Sequence, residues 1–138
     1  MRLSVIMLAV TLVACGPPGP PLEISELEVT KPIPGTYMSA GFFVLTNNTD
    51  EVISITSVDS PQFGRVEIHE TTVTDGVSRM RELDALQVPA QGSVVLERGG
   101  KHLMLMQPVG KPGTITLNFY SDDVLLLSVS TEFTAAME

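Results

Sequence analysis

VEIHETTVTDGVSRMRE, residues 66–82, reads as two β-strands joined by a two-residue turn. Asp75-Gly76 interrupts a run rich in Val, Ile and Thr, and a type I′ turn demands positive φ at both central positions, which Asp and Gly adopt more readily than most residues. If the turn forms there, Thr74 faces Val77, Thr71 faces Met80 and His69 faces Glu82. Side chains alternate between sheet faces with period two, so His69 and Thr71 share a face. His69 and Met80 then become diagonal neighbours, with β-carbons somewhat under about 7–8 Å apart.

The same texture continues on both sides. Strands are expected over 23–30, 39–47, 51–59, 64–72, 77–83, 92–98, 101–107, 113–121 and 124–133, separated by turn signals at Asn47-Asn48, Asp75-Gly76, Gly99-Gly100 and Asp122-Asp123. After the N-terminal segment no window holds a sustained helical period. Short strands at this spacing indicate an all-β antiparallel sandwich or barrel.

A second strand carries matching chemistry. In Lys101-His102-Leu103-Met104-Leu105-Met106, His102 and Met104 share one face, and Leu103 and Leu105 share the other. Each half of the molecule thus presents one imidazole and one thioether. The sequence contains two histidines, and they fall in one pattern: His69, ten residues, Met80, twenty-one residues, His102, one residue, Met104. Spacing does not bring the halves together; the fold must do so. Taken singly, a strand methionine is usually core packing and a lone histidine a surface group; taken together they form an N₂S₂ donor set. Met106 is expected to be core beneath the site, Met38 packing, and Met137 tail.

That donor set selects its metal. Thioether sulfur is soft and neutral, which suits copper(I). Zinc favours thiolate, imidazole or carboxylate, and calcium and magnesium favour oxygen. A blue-copper electron carrier needs a cysteine thiolate, but Cys15 is the only cysteine and lies far from the pattern. No nucleophile–base arrangement and no phosphate-binding glycine loop points to an enzyme.

The N-terminus is expected to be removed. One basic residue, Arg2, precedes an apolar run from Leu3 to Ala14, too short to span a bilayer. Leu12-Val13-Ala14-Cys15 resembles a bacterial lipobox, which implies a signal peptide over 1–14 and a lipid on Cys15. Gly16 to Pro21 favours polyproline II, a stiff spacer, so residues 15–22 form the lipidated tether and 23–138 the domain. Losing 14 of 138 residues leaves 124, and losing Arg2 takes the formal charge from −8 to about −9. That charge argues against nucleic acid and against a polybasic grip on lipid. Attachment to the membrane would come from acyl chains.

The pattern resembles the periplasmic copper chaperone family PCuAC, marked by His-x10-Met-x21-His-x-Met. Residues 66–71, 75–81 and 99–106 all look like family segments, as does Ala40 to Thr49, and the likeness covers about 24–134. It implies a cupredoxin-like Greek-key sandwich, a copper(I) site on His69, Met80, His102 and Met104, and a monomer in the periplasm or cell envelope. It further implies delivery toward the binuclear copper centre of cytochrome c oxidase subunit II, or to another copper chaperone. Glu70 stands where some members carry methionine, and Thr131 to Glu138 lacks the His- and Met-rich extension some use for copper(II). Copper storage or resistance is the nearest alternative; a structural or interaction lipoprotein without metal is the other. Delivery by ligand exchange predicts that affinity falls as imidazoles protonate below about pH 6.5.

Overall fold

The computed structural model describes residues 19–32, 34–111 and 113–134. The expected signal segment, Cys15, the spacer as far as residue 18 and the tail from 135 lie outside the described residues. Among the described residues no helix occurs and eleven strands do: β1 Leu22–Thr30, β2 Met38–Asn47, β3 Ile53–Ile55, β4 Ser57–Asp59, β5 Phe63–Thr74, β6 Val77–Glu82, β7 Leu86–Val88, β8 Gly92–Leu96, β9 Lys101–Pro108, β10 Thr114–Ser121 and β11 Val124–Thr134.

Strict alternation sets the layers. Along β2, Ser39, Gly41, Phe43, Leu45 and Asn47 are buried while the residues between them are half-buried. Strand order runs β4-β10-β11-β1-β2-β9-β5-β6. One edge of β2 is shared, β9 pairing with residues 38–41 and β8 with 43–47. The ribbon β4-β10-β11 forms the opposing layer. Phe43 of one layer meets Phe119 of the other edge-on, with ring centroids 5.5 Å apart, the favoured geometry for an aromatic pair. Leu103, Leu105, Ile115 and Leu117 are fully buried in the same core.

Gly41 permits a close approach inside the β2–β9 pair, because a β-carbon there would lie 3.2 Å from Leu103 Cβ. At the end of β2, buried Asn47 spends its whole amide: Nδ2 donates to the carbonyls of Glu51 and Val88 at 2.7 and 3.1 Å, and Oδ1 accepts from Thr49 N–H and Oγ1 at 2.9 and 2.8 Å. A residue expected to close a strand and open a turn therefore ties β2 to β7.

Three expectations are corrected. The single strand over 51–59 is two strands in different sheets: β3 pairs with β7, and β4 pairs with β10. Buried Ile55 and buried Val58 are an odd number of residues apart, so one unbroken period-two strand could not bury both. Strand β7 was not anticipated, since three residues are too few to show a period. The sandwich also contains one parallel contact, Val29 with Phe133 and Thr30 with Thr134, where the last strand returns beside the first.

The Asp75-Gly76 turn forms as read. Asp75 has φ 52° and Gly76 φ 75°, and β5 pairs β6 from Thr74–Val77 through Thr71–Met80 to His69–Glu82. Nothing lies within 4 Å of a β-carbon placed on Gly76, so only backbone conformation restricts the position. Gly76→Val is expected to cost about 1–2 kcal/mol through the left-handed conformation alone, measurable as a lower urea midpoint; an unchanged midpoint would mean the turn is not held.

Candidate metal centre

The contact between the two halves, left open by the sequence, is made by strand pairing. β5 and β9 are antiparallel neighbours with His69 directly opposite His102, and Glu67 opposite Met104. On the other side of β5, Thr71 faces Met80. Alternation then puts His69, Met80, His102 and Met104 on one face of the three-stranded unit β6-β5-β9, and Ile68, Leu103 and Leu105 on the core face. The two imidazole centroids are 5.9 Å apart, inclined at 58°. A nitrogen–metal bond of about 2.0 Å places a ring centroid about 3.2 Å from the ion, so two rings on one ion have centroids between about 5 and 6.4 Å apart. The observed spacing admits a shared ion.

Hydrogen bonding prepares both rings. Nδ1–H of His102 donates to the carbonyl of Gly100 at 3.0 Å, and that carbonyl is itself pinned by Thr71 N–H at 3.0 Å. The tight turn between β8 and β9, with Gly99 at φ 80°, delivers it. Nε2 of His102 therefore carries the free lone pair. Nε2–H of His69 donates to Glu67 Oε2 at 2.7 Å; the carboxylate can only accept, so the proton sits on that nitrogen. Nδ1 of His69 is buried and finds no hydrogen-bond partner among the described residues. A carbonyl on one ring and a carboxylate on the other is the arrangement that orients metal-ligating histidines. A buried nitrogen lone pair with no donor is costly unless something fills it.

Glu67 is itself supported. Its hydrogen bond from His69 outweighs desolvation and, with the Arg65 guanidinium in contact with its other oxygen, holds the carboxyl below the ordinary glutamate range. Sequence reasoning did not single out Glu67; its place two residues before His69, on the same face, was the available signal. His102 is 6% exposed and lies beside the Phe42 ring at 6.5 Å, which the Arg98 guanidinium caps at 4.6 Å. Met80, by contrast, is 52% exposed, and Met104 is half-buried, so the site is closed on the histidine side and open on the methionine side. Met106 and Met38 correct two readings. Neither belongs to the core: Leu103 and Leu105 occupy the inward positions of β9, so Met106 shares the outer face with Met104, and Met38 pairs with Met106 across β2.

No cluster of three or more His, Cys, Asp or Glu side chains able to hold a metal occurs among the described residues. Two imidazole lone pairs and two neutral sulfurs suit a soft, low-charge cation.

Arg98 also pairs with Glu28, at 2.8 and 3.4 Å. That hydrogen bond outweighs desolvation and holds the Glu28 carboxyl below its ordinary value. A depressed folded value means the contribution is complete above the ordinary glutamate pKa of about 4.3 and is lost as pH falls through the lower folded value. As the pair is partly exposed, it should add no more than about 1 kcal/mol. Urea midpoints of wild type and Glu28→Gln are expected to differ at pH 7 and converge in acid; a constant difference would refute the linkage.

Comparison with known proteins places this geometry. The family model "Putative lipoprotein LpqE-like" matches residues 22–130. The copper-bound PCuAC domain from PmoF2 superposes with TM-score 0.63 at 18% identity, over 86% of this chain and 94% of that one. The CuI-DR1885 solution structure from Deinococcus radiodurans gives TM-score 0.59 at 25% identity, over 89% of this chain and 81% of that one. The fold is thus the cupredoxin-like sandwich of PCuAC domains. A curated relative, Uncharacterized protein RP573 of Rickettsia prowazekii, is 27% identical over 89 residues, 62% of this chain; the match spans about half, 49%, of that relative's length.

Proposed function

This chain belongs to the LpqE-like family, and on that premise we propose that it is an extracytoplasmic lipoprotein that binds one copper(I) ion through His69, Met80, His102 and Met104 and passes it to an acceptor protein. The observation that carries the reading is the direct pairing of His69 with His102, each with one ring nitrogen committed to a backbone or carboxylate acceptor. Copper-loaded structures among the similar PCuAC proteins support copper as the cargo.

Residues 1–14 are a signal peptide, Cys15 carries the lipid, and Gly16 to Pro21 hold the domain clear of the membrane. The cargo moves by ligand exchange, without redox turnover or catalysis. Four neutral donors hold copper(I) without a thiolate, so an acceptor offering thiolates can displace them. The half-exposed Met80 is the first ligand such an acceptor reaches. The acceptor we favour is the binuclear copper centre of cytochrome c oxidase subunit II.

Glu67→Ala is expected to lower copper(I) affinity by about 10–100-fold, the usual cost of losing a group that orients a metal-bound histidine. Competition against a chromophoric copper(I) chelator measures it; unaltered affinity would show that the carboxylate does not orient His69. The function is tested by deleting the gene and assaying oxidase activity at low and high copper. Loss of activity at low copper, rescued by added copper, is expected. Unchanged activity with lost copper tolerance would overturn delivery in favour of storage.

A further inference from the structure

All four methionines among the described residues, Met38, Met80, Met104 and Met106, lie on the same outer face of the β6-β5-β9-β2 unit. Methionine used only to fill core gaps would face inward, yet none of the four belongs to the buried core. Met38 is 44% exposed, and Met106 is half-buried.

The register groups three of them. Met38 on β2 is directly opposite Met106 on β9, and Met104 is opposite Ala40. Directly opposed residues have β-carbons about 4.5–5.5 Å apart, and Met104 and Met106 are separated by about 6.6 Å along their strand. Ala40 fills little of the space between Met38 and Met104. Three rotatable bonds per side chain then let the sulfurs converge over it. On the far side of Met106 lies Arg65, whose guanidinium is drawn to Glu67, so its charge is neutralised where a cation would sit.

We propose that Met38, Met104 and Met106 form a second, weaker station for a soft monovalent metal ion, contiguous with the histidine site and sharing Met104 with it. The inference rests on the copper reading of that site. An ion at the histidine site exchanges both imidazoles and the Met80 thioether for the Met38 and Met106 thioethers while Met104 remains bound. Two sulfur–metal bonds form as two nitrogen–metal bonds and the Met80 sulfur–metal bond break, and no electron moves. A three-thioether station without imidazole holds the ion less tightly, as a loading or unloading position requires.

The test uses the full chain, purified in detergent, with ¹³C-methyl methionine and silver(I) as a redox-inert probe. The first equivalent is expected to shift the Met80 and Met104 methyl resonances, and further silver(I) to shift Met38 and Met106. Met38 and Met106 unmoved at large excess, with Met80 and Met104 shifted, would overturn the second station and leave the histidine site standing. Met38 and Met106 shifting while Met80 never moves would support the station and remove the four-ligand assignment instead. In His69→Ala/His102→Ala, silver(I) is expected still to shift Met38, Met104 and Met106, and adding Met38→Leu and Met106→Leu should abolish that response. Silver(I) response persisting in the fourfold variant would overturn the station; if the histidine variant fails to fold, the wild-type titration decides alone.

Discussion

His102→Ala is expected to weaken copper(I) binding by more than about 100-fold, beyond the 10–100-fold expected when a group that only orients a ligand is lost, because it removes a donor itself. His102 is the most enclosed of the four proposed ligands, 6% exposed, with its ring fixed by the Gly100 carbonyl and walled by Phe42. Its nitrogen is already aimed before metal arrives, so little ordering remains to be done on binding. The cost to the apo fold is modest by comparison: Gly100 keeps the Thr71 N–H, and a small cavity opens at the sheet surface rather than in the core. Chelator competition and apo urea unfolding, run on the same variant, separate the two effects. An undiminished affinity in a folded variant would sink the site.

Leu103→Ala should produce the larger loss of stability, about 2–5 kcal/mol. Leu103 is fully buried, lies between His102 and Met104 in sequence, and packs where Gly41 brings β2 in close. A strand so tightly neighboured has little room to collapse onto the void. Its outward neighbours are the proposed ligands, so copper(I) at 100 times its dissociation constant should return about 2.7 kcal/mol to the variant by mass action. Urea midpoints with and without copper(I) measure both terms. A loss well below the expected range would place Leu103 outside the rigid core, and no gain from copper(I) in either protein would count against binding.

Much of this was written locally. Period-two alternation and the Asp75-Gly76 turn are short-range signals, and both act within a few residues of the groups they position. They placed His69 diagonal to Met80, and His102 on one face with Met104, with the same register that the strands adopt. The lipobox-like segment and the spacer are equally local, though the segment and the spacer as far as residue 18 lie outside the described residues.

What no local signal could reach was the β5–β9 pairing. The chain between His69 and His102 contains β6, β7 and β8, and nothing in either strand names its partner or register. The buried lone pair on His69 and the Glu67 and Gly100 contacts exist only once that pairing forms. The same limit explains Met106 and Met38: apolarity says only that a side chain avoids water, not whether the face it shares meets the core. Met106 is expected as core although it shares a face with His102 and Met104, and Met38 as packing, whereas Leu103, Leu105 and Gly41 fill the inward positions and leave both methionines on the outer face. A strand's own sequence fixes which residues share a face; which face meets the core, and which distant strand lies alongside, is settled by packing across the whole domain.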